Sequence, residues 1–256
     1  MGALNIALPN AVRPRLRALA ELWRCRDDWR LPLPRRLLRR ERDAQLDDLM
    51  PVVALVALMV GVPMFVTLAP ALGDSYPTAL TTLWPLWAIQ AAPLTAALLL
   101  VLRRAPSLAL ELTHRQDSGE FATLALLRAS PASYPCLPLL LAHAWVVAAA
   151  SCLLVCLTLL FGLLAGSLLA VGDPRHALDL VLGLVSPLAW LRGLFTAFML
   201  GALGSLASML LAWPGTQSAA VGLDAHRLGL RAMFAGTLAA IAGLVALNWL
   251  FGLFGA

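Results

Sequence analysis

The chain has 256 residues, 61% of them hydrophobic, and a formal net charge of +5. Soluble domains average roughly 45–50% apolar, so a soluble enzyme is excluded and the chain reads as an all-α integral membrane protein. All nineteen basic residues are arginine. That rules out a P-loop, whose lysine must reach the β/γ-phosphates, and Schiff-base lysine chemistry.

Residues 1–48 form an arginine-rich cytoplasmic or interfacial segment holding eleven of the nineteen arginines. No compact apolar stretch with a small-residue cleavage site opens the chain, so no signal peptide is expected. Between Arg13 and Arg30, Leu16, Leu19 and Trp23 recur on one helical face, with Arg13, Arg17, Glu21 and Arg24 turned elsewhere. A basic amphipathic helix with aromatic anchors suits the surface of an anionic leaflet. Nucleic acid is the competing use for so many arginines. The segment is interleaved with acids and tethered to a membrane, so no nucleic-acid partner is expected.

A helix crosses the hydrocarbon with roughly 20 apolar residues. Residues 49–256 supply five such stretches, at about 49–72, 79–102, 137–169, 187–213 and 229–254. Gly61 and Pro63 predict a kink in the first, and Gly73 to Pro77 a tight turn after it. Trp84 and Trp87 fall near the outer end of the second, where interfacial tryptophans gather. Short polar connections are predicted from Gly172 and from Pro214 to Arg227. All arginines but Arg175 and Arg192 lie in the N-terminal segment and in the connections at 103–128 and 214–231. The positive-inside rule then places the N-terminus and the 104–136 stretch in the cytoplasm and the C-terminus outside.

The longest polar interruption is Glu111 to Pro138. Asp117 and Ser118 are suited to cap a helix start, with Glu120 in the first turn. Phe121, Leu124, Ala125 and Leu127 then make an apolar stripe at helical spacing, and Ser130-Pro131 ends it. The expectation is a short cytoplasmic helix between the second and third spans. It either lies on the membrane or docks into a partner; the plainer alternative is a connecting loop with a helical turn.

The cysteines Cys25, Cys136, Cys152 and Cys156 have neither CxxC spacing nor a histidine pair nearby. They read as small apolar core residues, with no metal site and no disulfide. No HExxH, no G-x-S-x-G and no intramembrane carboxylate pair occurs. The chain reads as non-catalytic, and the lack of acids in the spans argues against a proton-coupled carrier.

Several of these residues carry a resemblance. Glu111-Leu112, Glu120 to Leu124, Ser130 to Tyr134 and then Pro138 resemble the signature of the MlaE-type permeases, the membrane subunits of ABC transporters that work on lipids with MCE-domain proteins. Ala92 to Ala96 with Arg103, Gly193 to Gly215, Val221-Gly222, His226-Arg227 and Asn248-Trp249 extend it over roughly residues 41–254. The sequence departs from the family pattern at Gln90, which stands for a glutamate, and at Leu102 and Ala105, which replace glycines. Gly119 stands for a second glutamate and Leu139 for an arginine.

The resemblance implies a homodimeric permease with an interfacial N-terminal helix, five spans and a cytoplasmic coupling helix, in a bacterial inner membrane with a periplasmic C-terminus. It implies an ABC ATPase subunit that binds ATP and magnesium, so that this chain holds no cofactor. It implies an MCE-domain protein, leaves room for a small STAS-type cytoplasmic subunit, and makes phospholipid the cargo. A permease of another ABC export system and a non-transporting membrane scaffold are the competing functions.

On this reading Glu111, Arg115, Asp117 and Glu120 grip the ATPase through charge while Phe121, Leu124 and Leu127 fill its groove. The alternative is an ordinary solvated loop. Pro131, Tyr134 and Pro138 shape the stretch. Arg103 either pairs with Glu111 or snorkels at the membrane edge. Arg192, at the start of the fourth span, either binds a lipid phosphate bidentately or snorkels to the outer headgroups. Gly201, Gly204, Ser205 and Ser208 permit close helix contact, either at a dimer seam or within one subunit.

Overall fold

The computed structural model describes residues 20, 32–126, 136–169, 174–211 and 225–253. The helix expected between Arg13 and Arg30 lies, apart from Ala20, outside these residues, as do Leu127, Pro131, Tyr134 and most of the 214–227 connection. Among the described residues the chain is helical and has no strand. That is what a lipid-embedded backbone requires, since a helix satisfies its own N–H and C=O groups.

Helix α1 (Pro32–Val62) passes through a π-helical turn at Pro63–Thr67 into α2 (Leu68–Leu72). A 3-10 turn at Gly73–Ser75 leads into α3 (Tyr76–Leu86), a second π turn at Trp87–Ala91 and α4 (Ala92–Asp117). The short α5 (Glu120–Leu126) follows. Then come α6 (Leu137–Leu168), α7 (Pro174–Leu184), α8 (Pro187–Leu211) and α9 (Ala225–Leu253). Four helical stretches are long and apolar enough to cross a membrane, the first being the whole 83-residue run Arg35–Asp117.

That run doubles back on itself. Gly73 takes φ 51°, a left-handed conformation that glycine adopts at little cost. The arms then touch at a few points, with Phe65 edge-on to Trp84 at 6.2 Å between ring centroids and Asp48 paired to Arg103, while α1 packs chiefly on α6. The predicted kink at Pro63 is the first π turn. Proline cannot donate to the helical ladder, and in the wider turn that results the Pro63 carbonyl accepts both the Leu68 N–H and, at 2.6 Å, the Thr67 hydroxyl.

Helix α6 is central, with half of its most apolar window buried. It packs chiefly on α1, then on α8 and α4. Gly61 and Gly162 let α1 and α6 touch: a Cβ at Gly61 would lie 2.3 Å from the Thr158 carbonyl oxygen. Gly204 and Gly236 do the same for α8 and α9, and the Ser208 hydroxyl, 2.9 Å from the Gly204 carbonyl, also reaches the Ala232 carbonyl at 3.0 Å. Gly201, Gly204, Ser205 and Ser208 are thus buried inside one subunit.

Three expectations change here. Cys152 and Cys156 are exposed, because Ser151, Leu154, Val155 and Thr158 take the packed face of α6. The connection after the second span is largely helix: α4 continues to Asp117, burying Ala105, Leu108, Ala109 and Leu112 in one stripe. The connection after α6 contains α7, which buries Val181.

Candidate functional site

Two regions gather the side chains singled out in the sequence. The first is the arginine-rich end of the bundle. Arg103 Nη2 bonds Asp48 Oδ1 at 2.5 Å, and Arg104 lies 3.6 Å from Glu41. Both pairs join α4 to α1. The expected pairing of Arg103 with Glu111 does not form. Glu111 lies two helical turns further along α4 and reaches Arg115, one turn on, at 2.6 Å.

Arg115 also bonds Glu120 at 3.0 Å, across the junction between α4 and α5. One guanidinium therefore holds two carboxylates, its planar fork serving both. Gly119, at φ 75°, makes the turn. Asp117 and Ser118 do not cap α5 as expected. Asp117 is the last residue of α4, and the Ser118 hydroxyl donates back to the Arg115 carbonyl. The start of α5 is tied instead by Thr123, whose N–H and hydroxyl both donate to the Gly119 carbonyl.

The apolar stripe of α5 faces inward. Phe121 is only 7% exposed and shares a cluster with Leu108, Leu112, Cys136 and Met209, against which Leu124 also packs. Phe121 and Leu124 therefore hold α5 on its own bundle, where they had been expected to fill a partner's groove. The large apolar side chain that α5 leaves outside, among the described residues, is Leu126, 84% exposed. Pro138 is buried in the first turn of α6.

The second region is at the opposite end. A groove of about 540 Å³ is lined by Ile89, Ser186, Leu188, Ala189, Leu191, Arg192, Phe195 and Phe251. Arg192 is the one charged residue in that lining. Its guanidinium sits 4.4 Å over the Phe251 ring, within the range where the ring quadrupole attracts a cation. Phe251 in turn meets Phe195 edge-on at 6.3 Å. Gly193 brings α8 against the second π turn, its Cβ position lying 3.5 Å from the Ala88 carbonyl oxygen, so Ile89 and Arg192 border the same space. Sequence reasoning found Arg192 but missed Phe251 and Ile89, which only the packing of α8 against its neighbours brings alongside.

The described residues hold no group of three histidine, cysteine or acidic side chains suited to a metal ion. A helical bundle with several helices long and apolar enough to cross a membrane, an apolar groove at one end and charged helix ends at the other, is the build of a multi-pass membrane protein. The chain belongs to the MlaE permease family, whose sequence profile, permease MlaE, matches residues 46–235. That match takes in Arg103, Glu111, Arg115, Glu120 and Arg192 but ends before Phe251. No curated protein matches the chain.

Proposed function

We propose that this permease is the membrane subunit of an ABC-type lipid transporter and that the groove at Arg192 is part of its lipid path. The observation that carries this is the groove itself. Its volume of about 540 Å³ falls within the roughly 300–1,000 Å³ of ligand pockets. Its walls suit acyl chain, and its single guanidinium suits a phosphate.

Five spans fit the fold when the arms of the Arg35–Asp117 hairpin are counted separately. Arginine bias then puts the arginine-rich end in the cytoplasm and the groove on the periplasmic side of a bacterial inner membrane. On this reading α5 is the coupling helix. Leu126 offers the apolar contact to an ATPase that binds ATP and magnesium, and Glu111, Arg115 and Glu120 fix its angle. A second copy of the chain, an MCE-domain protein and a small STAS-type subunit complete the assembly.

The test is a gentle-detergent pull-down of the tagged protein from its native host, with mass spectrometry of proteins and lipids. Recovery of an ATPase, an MCE-domain protein and phospholipid is the expected result. An ATPase without an MCE-domain protein points to another export system. No ATPase at all overturns the transporter reading in favour of a scaffold.

A further inference from the structure

Two polar side chains are buried in the arginine-rich half without a use so far. Gln45 on α1 is 1% exposed and His143 on α6 is 2% exposed. Gln45 Nε2 donates to Glu41 at 3.3 Å, but among the described residues nothing donates to Gln45 Oε1, and His143 Nδ1 has no partner. An orphaned buried polar group costs roughly 1–3 kcal/mol, so two together are a strong demand for a ligand.

The space beside them limits what that ligand is. One half-open cavity of about 10 Å³ is bordered by Glu41, Gln45, Arg104, Glu111 and His143. A second, also of about 10 Å³, is bordered by Arg104, His143, Ser205 and Ser208. Leu108 lines both. A single water needs roughly 10–15 Å³, together with two to four polar partners. Phosphate or a lipid headgroup does not fit the volume, and among the described residues the acids and histidine here do not form a group suited to a metal ion.

We infer that each cavity binds one ordered water, and that Gln45 Oε1, His143 Nδ1 and the Arg104 side chain are among the partners. The waters form a hydrated joint between α1, α4, α6 and α8. Glu111 borders the first cavity and also holds Arg115, so the joint is continuous with the ion pairs that set the angle of α5. A water-mediated bond is nearly as favourable as a direct one. It also lets the helices shift without stranding a buried group, which a direct contact does not. The inference does not depend on the lipid reading.

X-ray radiolysis of the full chain in phospholipid nanodiscs tests it, because hydroxyl radicals oxidise side chains lying against a water. Leu108 and His143 are expected to be oxidised, whereas Leu154, fully buried in the apolar core, is not. Gln45→Leu, which removes a partner from the first cavity alone, is expected to lower labelling at Leu108, and His143→Leu, at the residue that borders both, to abolish it. Measured separately, each is expected to lower the melting temperature, since each strands the remaining partners. Absence of labelling at Leu108 in the wild-type chain overturns the inference. So does a rise in melting temperature in both variants, because apolar replacement of an orphaned group in a dry site is stabilising. If neither variant folds, the wild-type labelling decides alone.

Discussion

The two ends of the bundle are built on opposite principles. At the arginine-rich end, carboxylates and guanidiniums pair across helices, glycines draw α8 and α9 together, and Val101, Leu108 and Leu112 fill the space between. At the other end Leu188, Leu191 and Phe195 stay 69%, 63% and 44% exposed around a groove with one charge in its lining. The difference lies in how each end handles charge. The many charges at one end pair with one another across helices, whereas at the other Arg192 lies against the Phe251 ring among apolar walls, the setting that the lipid proposal rests on.

The sharpest way to break the closed end is to add volume where it has none. A Cβ at Gly236 would lie 2.6 Å from the Ser208 hydroxyl oxygen, 2.7 Å from Val101 and 2.9 Å from the Gly204 carbonyl oxygen. Gly236→Val is expected to cost about 3 kcal/mol, the upper part of the usual overpacking range. It should appear as a large fall in melting temperature or loss of monodisperse protein on size exclusion. Gly252, near the groove end, has nothing within 4 Å of its Cβ position, so Gly252→Ala should melt with the wild type. Equal effects at both glycines would erase the contrast between the ends.

The next effect separates packing from docking within α5. Leu124→Asp places a charge against the cluster around Leu112 and should destabilise the chain by roughly 2 kcal/mol. Leu126→Asp alters a side chain that is 84% exposed and should leave melting unchanged while weakening ATPase co-purification and transport. If Leu126→Asp retains full ATPase association, α5 is not the coupling helix.

At the open end, Arg192→Ala is expected to reduce retained phospholipid about tenfold, which is roughly 1.4 kcal/mol, with little change in melting. Arg192→Lys should restore part of it, since an ammonium supplies the charge without the planar fork. Native mass spectrometry of the purified protein reads both. Unchanged lipid retention in Arg192→Ala leaves the snorkelling alternative for this residue.

How much of this the sequence carried depended on the kind of signal. The long apolar runs were legible because hydrocarbon thickness sets their length, and Leu137–Leu168 falls within one residue of the expected third span. The extension of α4 to Asp117 was missed although Ala105, Leu108, Ala109 and Leu112 stand at helical spacing; Arg103 and Arg104, just before them, pointed to the start of a connection. The apolar stripe through Phe121 was read correctly as a face but assigned to a partner. Periodicity reveals that a face is buried and never by what. The same limit governs Cys152 and Cys156, whose apolar setting is evident in the sequence but whose outward direction follows only from which side of α6 meets α1.

The smallest expected effect is the most specific test of the arginine-rich end. Arg103 and Asp48 are 41% and 46% exposed, and ion pairs so open to solvent contribute about 0.2–1 kcal/mol. Arg103→Ala should therefore lower stability only slightly, and the single variant does not identify the partner. A double-mutant cycle does, because it cancels what each residue does alone. Arg103→Ala combined with Asp48→Asn should show a coupling near 0.5 kcal/mol, whereas Arg103→Ala combined with Glu111→Gln should be additive. Glu111 is already engaged with Arg115 at 2.6 Å, so its removal should instead couple to Arg115→Ala. A larger coupling to Glu111 than to Asp48 would mean that Arg103 does not make the contact to α1 described above. The clamp at this end would then act within one helix and not between the two arms of the hairpin.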